Sequence, residues 1–233
     1  MAEIFLYSPI EDGAAERFIT ELRATRGPVT VRINSPGGIV AEGMAIANAI
    51  RGHREPVTTI NDAMAASIAS AILCAGRRVL VTENSMTMVH APWSMSVGTA
   101  DDHRKSGETL DKFCEALRLA YKRTGKSDAE LDAIFAEEVW YSATEAVAHG
   151  YADEIVDALA IAASLQRFDL SKFRHAPEAQ STMTTEILAR EQSRRTDIRG
   201  RFGRFAESHR VLLDECLDDV QCTPQAAADK LLD

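Results

Sequence analysis

Short apolar runs of strand character alternate with helical segments through the first two-thirds of this 233-residue chain. Ala2–Tyr7 and Val29–Ile33 are short and rich in Ile, Val, Leu and Tyr, which predicts strands. Between them, Gly13–Ala24 carries Ala14, Phe18, Ile19 and Leu22 at helical spacing and breaks at Gly27-Pro28. Ile39–Ile50 repeats that pattern through Met44, Ile46 and Ile50. Val57–Ile60 then reads as a strand, Ala65–Ala75 as a helix, and Arg78–Val81 and Met86–His90 as two more strands. A β-α-β-α-β order builds a sheet through right-handed crossovers, so the predicted class is α/β.

A long helix is expected from about Thr99 to Arg123, with Leu110, Phe113, Cys114, Leu117 and Tyr121 on one face and Gly125 closing it. Ala129–Phe135 and Ala143–His149 read as short helices and Glu154–Val156 as a last strand. The compact unit is therefore expected over residues 1–160, a linker over 161–184 and a helical tail over 185–233. Arg167–Thr185 mixes Pro, Ser, Thr, Gln and charges with little periodicity, as a linker does. Helical patterning resumes at Thr185–Ser193 and Phe205–Leu217. Thr223-Pro224 has the form of an N-cap followed by proline at the first helical position, opening Gln225–Leu232.

Composition removes several functional classes. A formal charge of −9 gives no bulk attraction to nucleic acid, so no nucleic-acid partner is expected. Seven arginines against three acids between Arg190 and Arg210 read as a solvated helix face. No apolar run approaches the roughly 20 residues of a membrane span, and Met1 to Leu6 lacks the form of a signal peptide. No membrane partner and a cytoplasmic location are the expectations. Cys74, Cys114, Cys216 and Cys222 form no CxxC pair and have no His-rich partner cluster, which argues for free thiols and against a metal site. No metal or organic cofactor is called for.

Three segments carry reactive potential. Ile33-Asn34-Ser35-Pro36-Gly37-Gly38 lies between a predicted strand and a predicted helix, where proline fixes one dihedral and two glycines leave amides uncovered for a developing oxyanion. It lacks the G-x-x-x-x-G-K-[ST] pattern of a phosphate loop. Ala63-Met64-Ala65-Ala66-Ser67-Ile68-Ala69-Ser70 sets Ser67 among small residues at the expected start of an apolar helix, whose dipole would favour negative charge. A serine packed in an Ala-rich helix contact has the same local composition. Of six histidines, His90 alone emerges from an apolar strand, and Ala91-Pro92-Trp93 turns the chain after it.

In order and spacing, these segments together with Ser142-Ala143, Glu145-Ala146, Gly150 and Asp153 resemble the Clp peptidase family over roughly Ala2 to Ala158. The resemblance implies a ClpP/crotonase-like spiral of β-α-β units with an appended helical tail. It implies Ser67 as nucleophile, His90 as base, and the backbone amides of Gly38 and Ile68 as the oxyanion hole. The family's third member is an aspartate, and the matching position, two before Trp140, holds Glu138, with Glu137 as the neighbouring alternative. Ala63 stands where the family usually has glycine.

Within that family the chain is similar to the phage head-maturation branch. The similarity lies in Val31-Arg32 before the PGG turn, in His90-Ala91-Pro92-Trp93, in Glu138-Val139-Trp140 and in the tail from Phe168-Asp169-Leu170. That branch implies protein substrates, namely scaffold and capsid chains within an immature shell, and limited cleavage of a few sites; whether the chain's own Arg167–Thr185 linker is one of them stays open. Self-association is also implied, with Trp93–Asp102 and the long helix matching the region that joins subunits. Two other readings stay open: a degradation peptidase partnered with an ATP-driven unfoldase, and a non-catalytic or crotonase-like protein on the same fold. The first predicted strand starts at Ala2, which leads to the expectation that the pore-lining N-terminal segment of the degradation group is missing.

Overall fold

Seven strands form one sheet, parallel at every pairing except the last. The computed structural model describes residues 2–157 and 170–176 and, in the tail, 194, 196–198, 200–202, 209–210, 212–213, 216 and 222–232. In chain order the elements are β1 (Ala2–Leu6), α1 (Ala14–Ala24), β2 (Val29–Ser35), α2 (Val40–Arg51), β3 (Val57–Ala66), α3 (Ile68–Leu73), β4 (Arg78–Thr82) and β5 (Met86–Val89). They continue with α4 (Ala100–Ala120), a 3₁₀ turn (Lys122–Thr124), α5 (Asp128–Glu137), β6 (Val139–Ser142), α6 (Ala143–Ala148) and β7 (Glu154–Val156). The main path runs β1-β2-β3-β4-β7, with β5 set against β3 and β6 against β5. This is the expected α/β class, with strands and helices alternating and a helix, Pro224–Leu232, in the C-terminal region.

The sheet's middle is the driest part of the unit. All seven residues of β2 are buried, as a strand covered on both faces by crossover helices must be. Phe18 and Leu22 of α1, Ile46 and Ile50 of α2, and all six residues of α3 pack into the same core. Helix starts follow local chemistry: Thr99, Ser127 and Ser142 each cap a helix in a reciprocal box with Asp102, Glu130 and Glu145.

Two expectations change at the point that matters most. The helix predicted from Ala65 does not begin there; β3 continues through Ala66 and α3 starts at Ile68. Alanine is a good helix former, but here the strand ladder wins, because Ala65 pairs with Ser35 on one side and Thr87 on the other. Val139–Ser142, which carried no strand reading, is β6, and runs antiparallel to β5.

β3 changes neighbours along a single edge. Thr58 to Asn61 pair with β4, whereas Met64 to Ala66 pair with β5. On its other edge the register with β2 slips between Ile33 and Ser35. Polar side chains occupy this change-over. Asn61 Nδ2 donates to the Met86 carbonyl at 3.0 Å and to Thr87 Oγ1 at 3.1 Å, and Thr82 Oγ1 donates to the Asp62 carbonyl at 2.9 Å. The Asp62 carboxylate takes a fork from Arg32, Nε at 2.8 Å and Nη2 closer still, and accepts the Tyr7 hydroxyl at 2.6 Å.

The chain divides into two units, Met1–His175 and Ala176–Asp233. Residues 170–175, within the stretch read as a linker, belong to the first unit. In the second, Ile198, Phe202, Cys216, Cys222 and Ala227 are buried together. Thr223 Oγ1 accepts the Ala226 amide at 3.1 Å, the N-cap read from Thr223-Pro224. The helical readings at Thr185–Ser193 and over most of Phe205–Leu217 lie outside the described residues.

The Arg32 side chain is 4% exposed, so removing its carboxylate strands a buried cation. Asp62→Ala is expected to cost about 3 kcal/mol, the low end for such a pair because Glu3 remains 3.6 Å away. A shift in the urea midpoint at unchanged slope measures it. A midpoint within error of the parent counts against the clamp.

Candidate active site

Register alone predicts which residues meet at the carboxyl end of the sheet. Ala66 of β3 sits opposite Met88 of β5, so the chain leaves β3 at Ser67 close to where β5 ends and His90 begins. Parallel neighbours lie about 4.8 Å apart, within side-chain reach. Across β5, Val89 faces Val139 of the antiparallel β6. The ladder stops there, and the next residues beyond that pair are His90 on one side and Glu138, the C-cap of α5, on the other. Ligand and reaction sites of open α/β sheets form at such strand ends.

The local backbone then aims each group. Ser67 has φ 56° and ψ −131°, a conformation L-residues rarely hold, and is the sharp corner between β3 and α3. Its amide donates to the Met88 carbonyl at 3.0 Å, which pins the corner to β5. Its carbonyl accepts the Ser70 hydroxyl at 2.6 Å, and Ser70 Oγ lies 2.8 Å from the buried Tyr121 hydroxyl at the end of α4. The Ser67 hydroxyl is thereby left to face His90. Ser67 Oγ and His90 Nε2 are 2.8 Å apart, a hydrogen bond between a hydroxyl and an imidazole nitrogen.

The PGG turn packs directly on this corner. A Cβ on Gly37 would stand 2.6 Å from the Ala66 carbonyl oxygen and 2.7 Å from Ser67 Cβ, so no side chain fits there. One on Gly38, at φ 152°, would meet the Ile10 carbonyl oxygen at 2.2 Å. The turn is stitched to the preceding loop by Ile10 N to Gly37 O at 2.9 Å and Ile39 N to Ile10 O at 2.7 Å. Among the described hydrogen bonds, the amides of Gly38 and Ile68 donate to no protein acceptor.

Glu138 caps α5 in the left-handed region, at φ 54° and ψ 77°, and is 4% exposed, whereas Glu137 is exposed. Its carboxylate accepts the amides of His175 at 2.7 Å and Arg174 at 3.0 Å, with Trp140 Nε1 at 3.5 Å. Among the described hydrogen bonds none joins Glu138 to His90, and the two interact through charge. Burial, the largest single influence, pushes the Glu138 carboxyl up, but the two amides, the Trp140 indole and the charge of His90 together hold the group below the ordinary glutamate value. Burial lowers the His90 pKa; Glu138 opposes this, and the cations Lys172 and Arg174 add to it.

Ser67 and His90 open onto a cleft of about 550 Å³ lined mainly by apolar groups, including Ile10, Leu110, Phe113 and Phe173, with Gly37 and Gly38 on its wall. A carbonyl held there would meet a hydroxyl backed by an imidazole, beside uncovered amides. The part played by 172–175 has no signature in the residue pattern, because a short polar stretch with Pro177 close by reads as linker. The one available hint was the apolar pair Leu170 and Phe173, both buried. Among the described residues no group of three or more His, Cys, Asp or Glu side chains is placed to hold a metal.

Residues 1–158 match the family model of the Clp protease. The chain belongs to the Clp protease family. Its parallel sheet with alternating helices is the fold expected of a Clp protease, and membership makes it a peptidase-type hydrolase acting on protein substrates in a family that typically forms oligomers. Among the described residues no helix is long and apolar enough to cross a membrane.

An imidazole whose pKa is lowered stays neutral, and able to accept a proton, below the ordinary value of 6.5. The acid limb of Ser67-directed inactivation or of peptide cleavage is therefore expected to have its midpoint below pH 6.5. A pH series of kcat/KM checks this. A midpoint above that value contradicts the direction.

Proposed function

We propose that this Clp protease is a serine endopeptidase in which Ser67, His90 and Glu138 act as nucleophile, base and acid. The observation that carries the reading is the 2.8 Å contact between Ser67 Oγ and His90 Nε2 at the foot of the cleft. With the ring proton on Nδ1, Nε2 takes the Ser67 proton as Oγ attacks the scissile carbonyl carbon. The resulting oxyanion is received by the amides of Gly38 and Ile68, which have no other acceptor among the described hydrogen bonds. Collapse breaks the C–N bond, and the departing amine takes the proton from Nε2. Water then releases the acyl group from Ser67 by the same route.

Glu138 contributes a fixed negative charge that favours the imidazolium formed on the way. Its amide bonds from Arg174 and His175 keep it ionised without consuming the His90 proton. A crotonase-like or non-catalytic role is disfavoured by the Ser67–His90 pairing, which neither needs.

The substrates proposed are scaffold and capsid chains, cut at few sites, as in head maturation. This narrower assignment is supported by the sequence around the PGG turn, by His90-Ala91-Pro92-Trp93, by Glu138-Val139-Trp140 and by a second unit following the peptidase. Self-association is proposed through Trp93–Asp102 and α4, where Trp93, Met95 and Val97 are exposed.

A fluorophosphonate probe is expected to label the chain, and labelling to vanish in Ser67→Ala; persistent labelling of that variant removes Ser67 from the mechanism. Glu138→Gln is expected to lower kcat/KM and to move the acid limb to lower pH, because the lost charge had raised the His90 pKa. An upward move contradicts the role given to Glu138. Incubation of scaffold and capsid chains with active protein and with Ser67→Ala, read by mass spectrometry, tests the substrate class. Discrete Ser67-dependent fragments are expected, and ATP-dependent degradation to short peptides would point instead to an unfoldase partner.

A further inference from the structure

Residues 170–175 follow the family-matched region by more than ten positions, yet they lie against its most reactive groups. Leu170 and Phe173 are buried, and the Phe173 amide closes a turn onto the Leu170 carbonyl at 3.0 Å. The Phe173 ring stands edge-on to His90, with centroids 5.6 Å apart, and edge-on to Trp140, at 5.8 Å. One ring thus contacts both the imidazole and the indole. Lys172 Nζ lies 5.1 Å from the Phe173 ring centroid, and both residues line the cleft. The next two amides, of Arg174 and His175, supply the two short hydrogen bonds received by the Glu138 carboxylate.

A buried carboxylate without donors is costly, and one in a left-handed backbone conformation needs neighbours that hold it there. Among the described hydrogen bonds, Glu138 without this segment would keep only the 3.5 Å contact to Trp140. His90, hydrogen-bonded through Nε2 to Ser67, would lose the aromatic ring that packs against it. We infer that residues 170–175 form a strap that completes the active site, with Phe173 as a positioning residue for His90 and the Arg174 and His175 amides as the brace of Glu138. The active unit of this Clp protease then extends to His175, and the strap ties the catalytic groups to the stretch of chain that leads into the second unit.

The inference rests on the Ser67–His90–Glu138 reading, and the test separates the two. The full chain and the variants Phe173→Ala, Phe173→Tyr, His175→Pro and His175→Ala are compared by fluorophosphonate inactivation rate from about pH 5 to pH 9, with thermal melting as the control for folding. The charged groups facing His90 are Glu138, Lys172 and Arg174, and all three are retained in every variant. Phe173→Ala is expected to slow inactivation about tenfold and to move its acid limb to higher pH, as a better-hydrated imidazole binds its proton more tightly. Phe173→Tyr keeps the ring and is expected to restore both rate and profile. His175→Pro deletes the amide donor and is expected to be slow, whereas His175→Ala keeps the donor and stays near the parent.

If Phe173→Ala fails to fold, the His175 pair decides. Equal rates and equal pH profiles across the folded variants overturn the strap while leaving Ser67 in place. Faster inactivation on altering the segment also overturns it, because a cover and not a brace would have been removed. Absence of Ser67-dependent labelling in the parent chain overturns the catalytic reading, and the strap with it.

Discussion

The site exists because β3 changes partners part-way along one edge. A strand that stayed with β4 throughout would carry Ser67 past Thr82, and β5 would have no edge to join. The change-over needs backbone groups to be satisfied where one ladder stops and the next begins. Asn61 and Thr82 meet that need at the point of change by donating to the Met86 and Asp62 carbonyls, and the Arg32–Asp62–Tyr7 side chains pair with one another beside them. From there, the register to β5 brings the corner at Ser67 beside His90, and the register from β5 to β6 ends one residue short of His90 and Glu138. The meeting of Ser67 and His90 is thus a property of strand pairing before it is a property of loops.

Charge around His90 is balanced between burial and its neighbours. Burial and two cations favour the neutral ring, while Glu138 favours the charged one. The role proposed for His90 requires a ring that starts neutral and tolerates becoming charged, and its surroundings contain groups that act in each direction. The carboxylate is kept ionised by main-chain donors, so its support does not vary with the protonation of another side chain.

Much of the fold was legible because the apolar periodicities were clean. β1, α1, α2, β4 and β7 fall within a residue or two of their readings. The errors have local causes. Ala65, Ala66 and the small residues after them match a helix by propensity, and only long-range pairing, of Ala65 with Ser35 and Thr87 and of Ala66 with Met88, makes the first two a strand. Val139–Ser142 is four residues long, too short for alternation to register, and it becomes β6 through β5. Ser67 and His90 stood out by composition and position and lie 2.8 Å apart. The segment at 170–175 could not be read, since its contribution comes from main-chain amides and from one aromatic ring, and neither leaves a pattern in sequence.

The corner at Ser67 also has a thermodynamic side. A non-glycine residue with φ 56° and ψ −131° is held at a cost of order 1–3 kcal/mol, and the rest of the domain must supply it. Glycine at that position would relax the backbone and remove the hydroxyl that the proposed mechanism uses. The strained corner thus falls on the residue proposed as nucleophile, and robustness and that proposed reactivity pull in opposite directions at a single α-carbon.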